Sequence, residues 1–167
     1  MINRLAITLF SKLMRNKHFY DFVVRTAQKK PYFDINDYME RYWVTPKCLL
    51  TVDEYGNAYP RKWVPMFLRC RLHITKRADA SRHLHDHPAD NASIILSGWY
   101  YEQDILGELI LRTRGDVVFR RAECFHRLSN VSEEGCVSLF FMGHRCNHWG
   151  FLVDGKKVRW EAYNNEA

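Results

Sequence analysis

Long hydrophobic segments are absent from this sequence of 167 residues. No apolar run approaches the roughly 20 residues that a membrane-spanning helix requires. The apolar run from Leu5 to Phe10 is shorter than the core of a secretory leader, and no small-residue cleavage site follows it. We therefore expect a cytoplasmic protein.

Cysteine motifs are missing as well. The five cysteines are odd in number and scattered, and no Cys-x-x-Cys pair occurs. This spacing argues against both a disulfide framework and a zinc ribbon, so we expect reduced and mostly buried thiols. The sequence also lacks a glycine-rich phosphate loop, a Ser-His-Asp set and a recognisable nucleic-acid motif.

Acidic residues are scarce near the N-terminus. Residues 1–30 hold seven Lys or Arg and one acid, Asp21, whereas the remaining 18 basic and 18 acidic residues cancel. The whole net charge of +6 therefore belongs to this segment. A basic helix can contact an anionic surface such as a membrane, a nucleic acid or an acidic partner, and it can equally be a solvated face. The sequence leaves these alternatives open.

The first third of the chain favours helices. Apolar residues recur at helical spacing over residues 1–30, with a break near Asn16, and Pro31 ends the pattern. A second short helix is predicted from Ile35 to Trp43, with Asp34 as its N-cap. Residues 1–47 are accordingly predicted to form a helical N-terminal arm.

Further along the chain, the spacing of the apolar residues changes from that of a helix to the two-residue period of a strand. In MFLRCRLHIT, apolar side chains alternate with Arg69, Arg71, His73 and Thr75, which is typical of a half-buried strand. Further strands are predicted at residues 92–102, 108–113, 116–119, 124–131 and 137–142. Hairpins are predicted at Asp154-Gly155 and at residues 55–57. Successive short strands favour a sandwich or barrel, so residues 48–167 are predicted to be an all-β barrel.

Histidines alternate in the stretch HLHDHPADNASIILSG, at positions 83, 85 and 87. Alternate positions of an extended chain project to one side, and imidazole is a common ligand of Zn, Fe, Ni and Cu ions. Such a pair needs further ligands from elsewhere in the fold. In the central region of the sequence, His126 lies in another predicted strand and is the candidate for such a ligand.

This arrangement resembles the two sequence motifs of the cupin superfamily. The first motif joins a His-x-His pair, a Glu and a Gly, and it is matched by His85, His87 and Gly98, with Asn91 where Glu is expected. In the second motif the matching residues are Gly115, His126 and Asn130, whereas Arg121 and Glu123 replace its inner Pro and Gly.

The resemblance covers about residues 66 to 142 and implies a jelly-roll barrel, or double-stranded β-helix, with one divalent metal ion in its mouth. The arm and the HWGF segment are similar to small cupin-like proteins of phages and bacteria. A homodimer is a further expectation from the resemblance.

Asn91 is the main departure from the cupin pattern, because a neutral amide is a poorer metal ligand than Glu. Three alternatives remain. The ion is held by His85, His87 and His126, with Asn91 or nothing as a fourth ligand. Alternatively, Asp90 supplies a carboxylate and His83 pairs with His85 in a shifted register. The third alternative is a pocket without metal.

A small organic substrate is expected in the barrel mouth. Arg69, Arg71 and Tyr101 are predicted to contact it, because an inward arginine can bind a carboxylate or phosphate through two hydrogen bonds. Fe(II) is the favoured metal, with Zn, Ni or Mn as alternatives, and the favoured activity is that of a dioxygenase. The alternatives are a non-catalytic protein that binds a ligand, senses it or serves in assembly, and a cupin isomerase or lyase.

Overall fold

The computed structural model describes residues 2–32, 34–35, 37–52 and 58–165. Within them the α-helices are α1 (Ile2–Leu13), α2 (Lys17–Gln28) and α3 (Trp160–Asn165). The strands are β1 (Met39–Trp43), β2 (Leu50–Val52), β3 (Ala58–Pro60), β4 (Cys70–Thr75), β5 (Asn91–Ser97), β6 (Trp99–Gln103), β7 (Leu109–Thr113), β8 (Val117–Arg120), β9 (Arg127–Val131), β10 (Cys136–Met142), β11 (Gly150–Val153) and β12 (Lys156–Arg159).

Two antiparallel sheets form the body of the fold. The larger has five strands in the order β1-β4-β10-β5-β8, and the smaller has three in the order β7-β6-β9. Two-stranded ribbons, β2-β3 and β11-β12, accompany them. Ile95, Tyr100 and Cys136 form a buried cluster that joins residues of both sheets. The predicted all-β class is thus confirmed, with the space between the sheets as the interior.

Helices α1 and α2 cover the outer face of the larger sheet. Ile7 and Ala27, one from each helix, are fully buried in a cluster with Leu72, Leu139 and other residues of β4, β5 and β10. Asn16 separates the helices, and its side chain accepts a hydrogen bond from the Phe19 backbone N–H at 3.1 Å, as an N-cap residue does. The predicted helical stretch, with its break near Asn16, is confirmed.

This cover explains the alternation in β4. Cys70 and Leu72 face the helices, whereas Arg71, His73 and Thr75 face the interior between the sheets. Both faces of the strand are therefore buried, and the polar face does not meet bulk solvent as a half-buried strand would. The helices shield the apolar side, so the polar side chains become the lining of the barrel.

The prediction of a second helix over Ile35–Trp43 is wrong: among the described residues, Ile35 forms an isolated β-bridge with Met39, residues 37–38 form a turn, and Met39–Trp43 is strand β1. Met39–Trp43 pairs with β4 in register, Tyr42 opposite Leu72. Aromatic residues suit strands, and hydrogen bonds to an existing sheet edge outweigh a weak helical pattern. Because β1 belongs to the larger sheet, the stretch before residue 47 contributes to the body of the fold. The division of the chain at residue 47 stays a prediction.

The strand predicted over residues 92–102 is interrupted at Gly98. This glycine has φ +69°, and there the chain passes from β5 of the larger sheet to β6 of the smaller one. The hairpin at Asp154-Gly155 is confirmed, since both residues have positive φ, as the tight turn between β11 and β12 requires. The hairpin predicted at residues 55–57 lies outside the described residues.

Cys70 and Cys136 are buried, as expected, whereas Cys48, Cys124 and Cys146 are exposed, so the expectation of mostly buried thiols is wrong. No helix among the described residues is long and apolar enough to cross a bilayer.

Candidate metal centre

Three histidines from two distant parts of the chain meet between the sheets. Their potential ligand atoms all lie within 4.8 Å of one another, in the set His85, His87 and His126. The Nε2 atoms of His87 and His126 are 2.8 Å apart. The backbone brings the two parts together, because His85 and His126 exchange N–H···O hydrogen bonds of 2.8 and 2.9 Å. The convergence predicted from the sequence spacing is therefore present.

His85 and His87 project to one side of the chain, and Asp86 between them projects to the other. The Asp86 side chain is completely buried and accepts hydrogen bonds from the Gly150 N–H and the Asn147 amide, each at 2.8 Å. The Lys157 ammonium also contacts this carboxylate. Asp86 therefore fastens the ribbon β11-β12 beneath the histidine pair, while His85 and His87 face the interior.

A buried carboxylate stands behind His126. Glu102 Oε1 lies 2.9 Å from His126 Nδ1, and Glu102 also pairs with Arg112 and Arg120. The Nδ1–H direction misses ideal hydrogen-bond geometry, so the contact is one between the Glu102 charge and the N–H dipole of a neutral ring rather than a straight hydrogen bond. Burial by itself raises the pKa of Glu102, but the contacts with His126 and Arg120 lower it overall, so the group is anionic. An anion here favours the proton on Nδ1 and leaves Nε2 as a lone-pair donor.

Asp79 lies near Nδ1 of His85, as Glu102 lies near Nδ1 of His126. Its Oδ2 lies 3.6 Å from His85 Nδ1 and accepts a hydrogen bond from the Leu128 N–H at 2.8 Å. The Tyr38 hydroxyl donates to the other oxygen of Asp79. Two of the three rings thus have a fixed carboxylate on the side away from their neighbours, an arrangement that orients imidazoles for metal binding.

Burial keeps the rings neutral. It lowers the pKa of all three histidines, to about 4 for His126 and well below the ordinary value for His87. Neutral imidazole is the form that binds a metal ion, since a protonated ring has no lone pair to give. The cluster is thus charged correctly for a ligand set at neutral pH.

The donor set fits a divalent transition metal. Imidazole suits Zn, Cu, Fe and Ni. The 2.8 Å between the Nε2 atoms of His87 and His126 is a hydrogen-bond distance, and an ion would replace this direct contact. The three histidines are near enough to one another to bind one ion.

The remaining residues proposed as ligands lie elsewhere. Asp90 accepts a hydrogen bond from the Ala122 N–H at 2.9 Å, and His83 Nδ1 is 3.0 Å from the Tyr163 hydroxyl. The shifted register with His83, His85 and Asp90 is therefore not assembled among the described residues. Asn91 is buried, and its Oδ1 has no hydrogen-bond partner. Its role as a fourth ligand stays a prediction.

A cavity of about 360 Å³ opens beside the histidines, lined by side chains of both sheets. Arg71 lines it, but Arg69 and Tyr101 do not. Arg69 donates from Nε to the Met142 carbonyl at 3.1 Å, outside the cavity. On β6 the side chain that enters the cavity is that of Tyr100, because neighbouring residues of a strand face opposite sides. Of the three proposed substrate contacts, the structure places only Arg71 at the cavity.

The sequence interpretation did not identify Asp79 or Glu102. The alternation Tyr100–Glu102 in WYYEQ was the available signal for Glu102, since both residues share a strand face. It could not be used, because the sequence does not say which face of β6 is inward. Asp79 lies in a connecting segment without a periodic pattern.

No protein-family model and no curated protein matches the chain. Similar solved structures include KdgF from Halomonas sp., at 14% identity over 71% of this chain and 92% of that one, with a TM-score of 0.47. An RmlC-like cupin from Shewanella frigidimarina is 14% identical over 71% and 87%, with a TM-score of 0.46. A cupin-like protein from Thermotoga maritima is 17% identical over 79% and 90%, with a TM-score of 0.43.

Histidines of both sequence motifs meet between two antiparallel sheets, which is the arrangement that the sequence resemblance predicted. The predicted all-β fold class is confirmed, and the similar solved structures include cupins.

Proposed function

We propose that the chain is a mononuclear metal-binding cupin that acts as an Fe(II)-dependent dioxygenase on a small organic substrate. One observation carries the metal site: three neutral imidazoles, buried for His126 and half-buried for His85 and His87, place their ligand atoms within 4.8 Å of one another. No carboxylate joins this set in the described part of the chain. When bound, such an ion supplies a redox-active centre with open coordination positions.

The side chains around the histidines prepare the site for this role. Glu102 favours a proton on Nδ1 of His126, which leaves its Nε2, 2.8 Å from Nε2 of His87, as the lone-pair atom. Asp79 Oδ2 lies 3.6 Å from Nδ1 of His85. Phe140 packs beside the His87 ring at a centroid distance of 5.9 Å. A substrate that fills the cavity would exclude water from the imidazoles.

Metal content tests the proposal directly. We expect purified protein, reconstituted with Fe(II) without oxygen, to hold about one equivalent of iron by mass spectrometry. His126→Ala should lose it, because a third of the ligand set disappears. The matched variant His148→Ala removes an exposed histidine and should retain the metal. Wild-type protein without stoichiometric metal after reconstitution contradicts the proposal.

Oxygen consumption separates the dioxygenase from the other candidates. The metal-loaded protein is given small thiols and carboxylic acids in an oxygen electrode, and sustained uptake is expected with at least one of them. Product formed without oxygen uptake identifies an isomerase or lyase. Binding without turnover identifies a ligand-binding protein.

A further inference from the structure

Arg71 is a buried cation whose charge is not neutralised by the protein. Only 9% of the residue is exposed. Among the described residues, no carboxylate oxygen lies within 4.0 Å of its guanidinium, and no acceptor takes a hydrogen bond from it. Burial lowers the pKa of Arg71 to about 10, so the group remains charged at neutral pH. A buried charge without a counterion is costly and needs an explanation.

Arg120, another arginine of the cavity lining, differs from Arg71 because its charge is paired. Arg120 also lines the cavity, and it forms an ion pair with Glu102 and contacts the Tyr100 hydroxyl at 3.3 Å. The charge of Arg120 is therefore neutralised by Glu102. The Arg71 guanidinium carbon lies 4.6 Å from the Tyr32 ring centre and 4.8 Å from that of Trp43. Such cation–π contacts hold the group in place but leave its N–H donors free.

The surroundings of Arg71 add to its positive potential. His73, two residues later on the same face of β4, has its pKa lowered well below the ordinary value by burial and by the charges of Arg71 and Arg41. Arg41 lines the same cavity. A planar guanidinium with free donors and a positive surrounding is suited to a carboxylate, which it can bind through two parallel hydrogen bonds.

A row of rings leads from this end of the cavity to the histidines. Phe140 lies opposite Arg71 in the pairing of β10 with β4. Its ring stacks on His73 at 4.8 Å and packs beside His87 at 5.9 Å between centroids. An apolar body placed along Phe140 would thus extend from the guanidinium end towards the candidate metal centre.

We propose that the cavity binds a small organic carboxylate, whose charged group is held by Arg71 and whose apolar body lies along Phe140. Its far end would meet the three histidines, so the orientation of the ligand rests on the proposed function. The contact with Arg71 does not depend on a metal.

The test uses chelator-treated full-length protein and three probes of similar size: benzoate, the neutral benzamide, and phenyl phosphate. Calorimetry should show binding of benzoate in preference to both others. Arg71→Gln should weaken benzoate binding roughly 10- to 100-fold, as expected when hydrogen bonds to a charged group are lost. Arg71→Lys keeps the charge without the planar fork and should recover part of the affinity.

Arg69→Gln is the matched control, because Arg69 precedes Arg71 by two residues but lies outside the cavity lining. It should change benzoate affinity less than about twofold. A second readout separates binding from a structural role. Arg71→Met should leave the thermal unfolding midpoint of the ligand-free protein unchanged or raise it, because an unneutralised buried charge has been removed.

Three results would overturn the proposal: equal binding of benzamide and benzoate, unchanged benzoate affinity in Arg71→Gln, or tighter binding of phenyl phosphate. The first comparison needs only wild-type protein and is independent of how the variants fold. Failure of the metal proposal is distinguishable: wild-type protein would then hold no stoichiometric iron after reconstitution, or His126→Ala would hold as much as wild type, while the benzoate result stands.

Discussion

Glu102 connects the histidine cluster to two arginines. It lies on β6, is only 4% exposed, and contacts His126, Arg112 and Arg120. Neither cupin motif contains this position, yet its charge favours the proton on Nδ1 of His126. Residues that stand behind a ligand commonly affect metal affinity nearly as strongly as the ligand itself.

Glu102→Gln should therefore weaken metal binding by roughly 10- to 100-fold while the three ligands remain. The neutral amide no longer favours a proton on His126 Nδ1. Competition against a chromophoric chelator measures the affinity, and a thermal melt checks that the variant is folded. Glu123→Gln, at an exposed ion pair with Arg121, is the control. Unchanged affinity in a folded Glu102→Gln variant would remove Glu102 from the proposed centre.

The sequence predicted which three histidines lie together more accurately than it predicted their surroundings. His85, His87 and His126 could be selected because motif spacing fixes them relative to each other. Arg69 and Tyr101 were selected without knowledge of which strand faces are inward, and neither reaches the cavity. Which face of a strand points inward depends on packing against elements far away in the sequence. Here helices α1 and α2 cover one side of the larger sheet.

At the scale of elements, Gly98 forms the sharp corner between β5 and β6. An added Cβ would lie 2.1 Å from the Gly135 carbonyl oxygen and 2.7 Å from the Ser132 hydroxyl. The backbone there also has positive φ. The corner therefore requires glycine for two separate reasons, conformation and close approach.

Gly98→Ala should lower the free energy of unfolding by roughly 3 kcal/mol, because backbone must move as well as adopt a strained conformation. Gly155→Ala is the matched control: its φ is also positive, but no atom lies within 4 Å of the added Cβ. That variant should lose only about 1 kcal/mol. Urea unfolding measures both, and equal losses would contradict the role given to the Gly135 contact.

Helix α1 presents an apolar stripe to solvent. Leu5, Leu9 and Leu13 are 64%, 51% and 56% exposed, and Lys12 and Arg15 are exposed near them. Apolar residues flanked by basic ones suit the surface of an anionic membrane. The basic sequence left open a membrane, a nucleic acid and an acidic partner. Exposed leucines beside basic residues favour the membrane surface among these.

We expect the protein to sediment with vesicles that contain phosphatidylserine more than with neutral phosphatidylcholine vesicles. Replacing Leu9 by Ser should reduce binding to the anionic vesicles, and added salt should reduce it further by screening the charges. Replacing Leu106, which is 80% exposed in the β6–β7 loop, is the control. Equal sedimentation with both vesicle types would leave α1 as a solvated face.

For the whole molecule, acid should destabilise the metal-free fold. His85, His87 and His126 have lowered pKa values because they are buried, whereas in the unfolded chain a histidine titrates near 6.5. Between the two values the unfolded chain binds more protons. Stability is therefore complete above about pH 6.5 and falls as the pH drops towards about 4.

His126 alone should account for about 3 kcal/mol of this loss, because its pKa is lowered to about 4. Urea midpoints measured with chelator present, from about pH 7.5 to about pH 5, test the direction. His126→Gln should flatten the dependence, and exposed His148→Gln controls for removal of a histidine as such. Constant stability across this range would mean that the rings are not buried as described.

The contact between Asp86 and Lys157 carries a consequence for biosynthesis. The carboxylate sits between two of the proposed ligands, yet its cation is supplied 71 positions later in the chain. A ribosome-bound fragment that stops short of Lys157 exposes no such partner, and the carboxylate resists entering an apolar interior. We therefore expect His85 and His87, the two proposed ligands beside Asp86, to reach their final positions only after the ribbon β11-β12 has been synthesised.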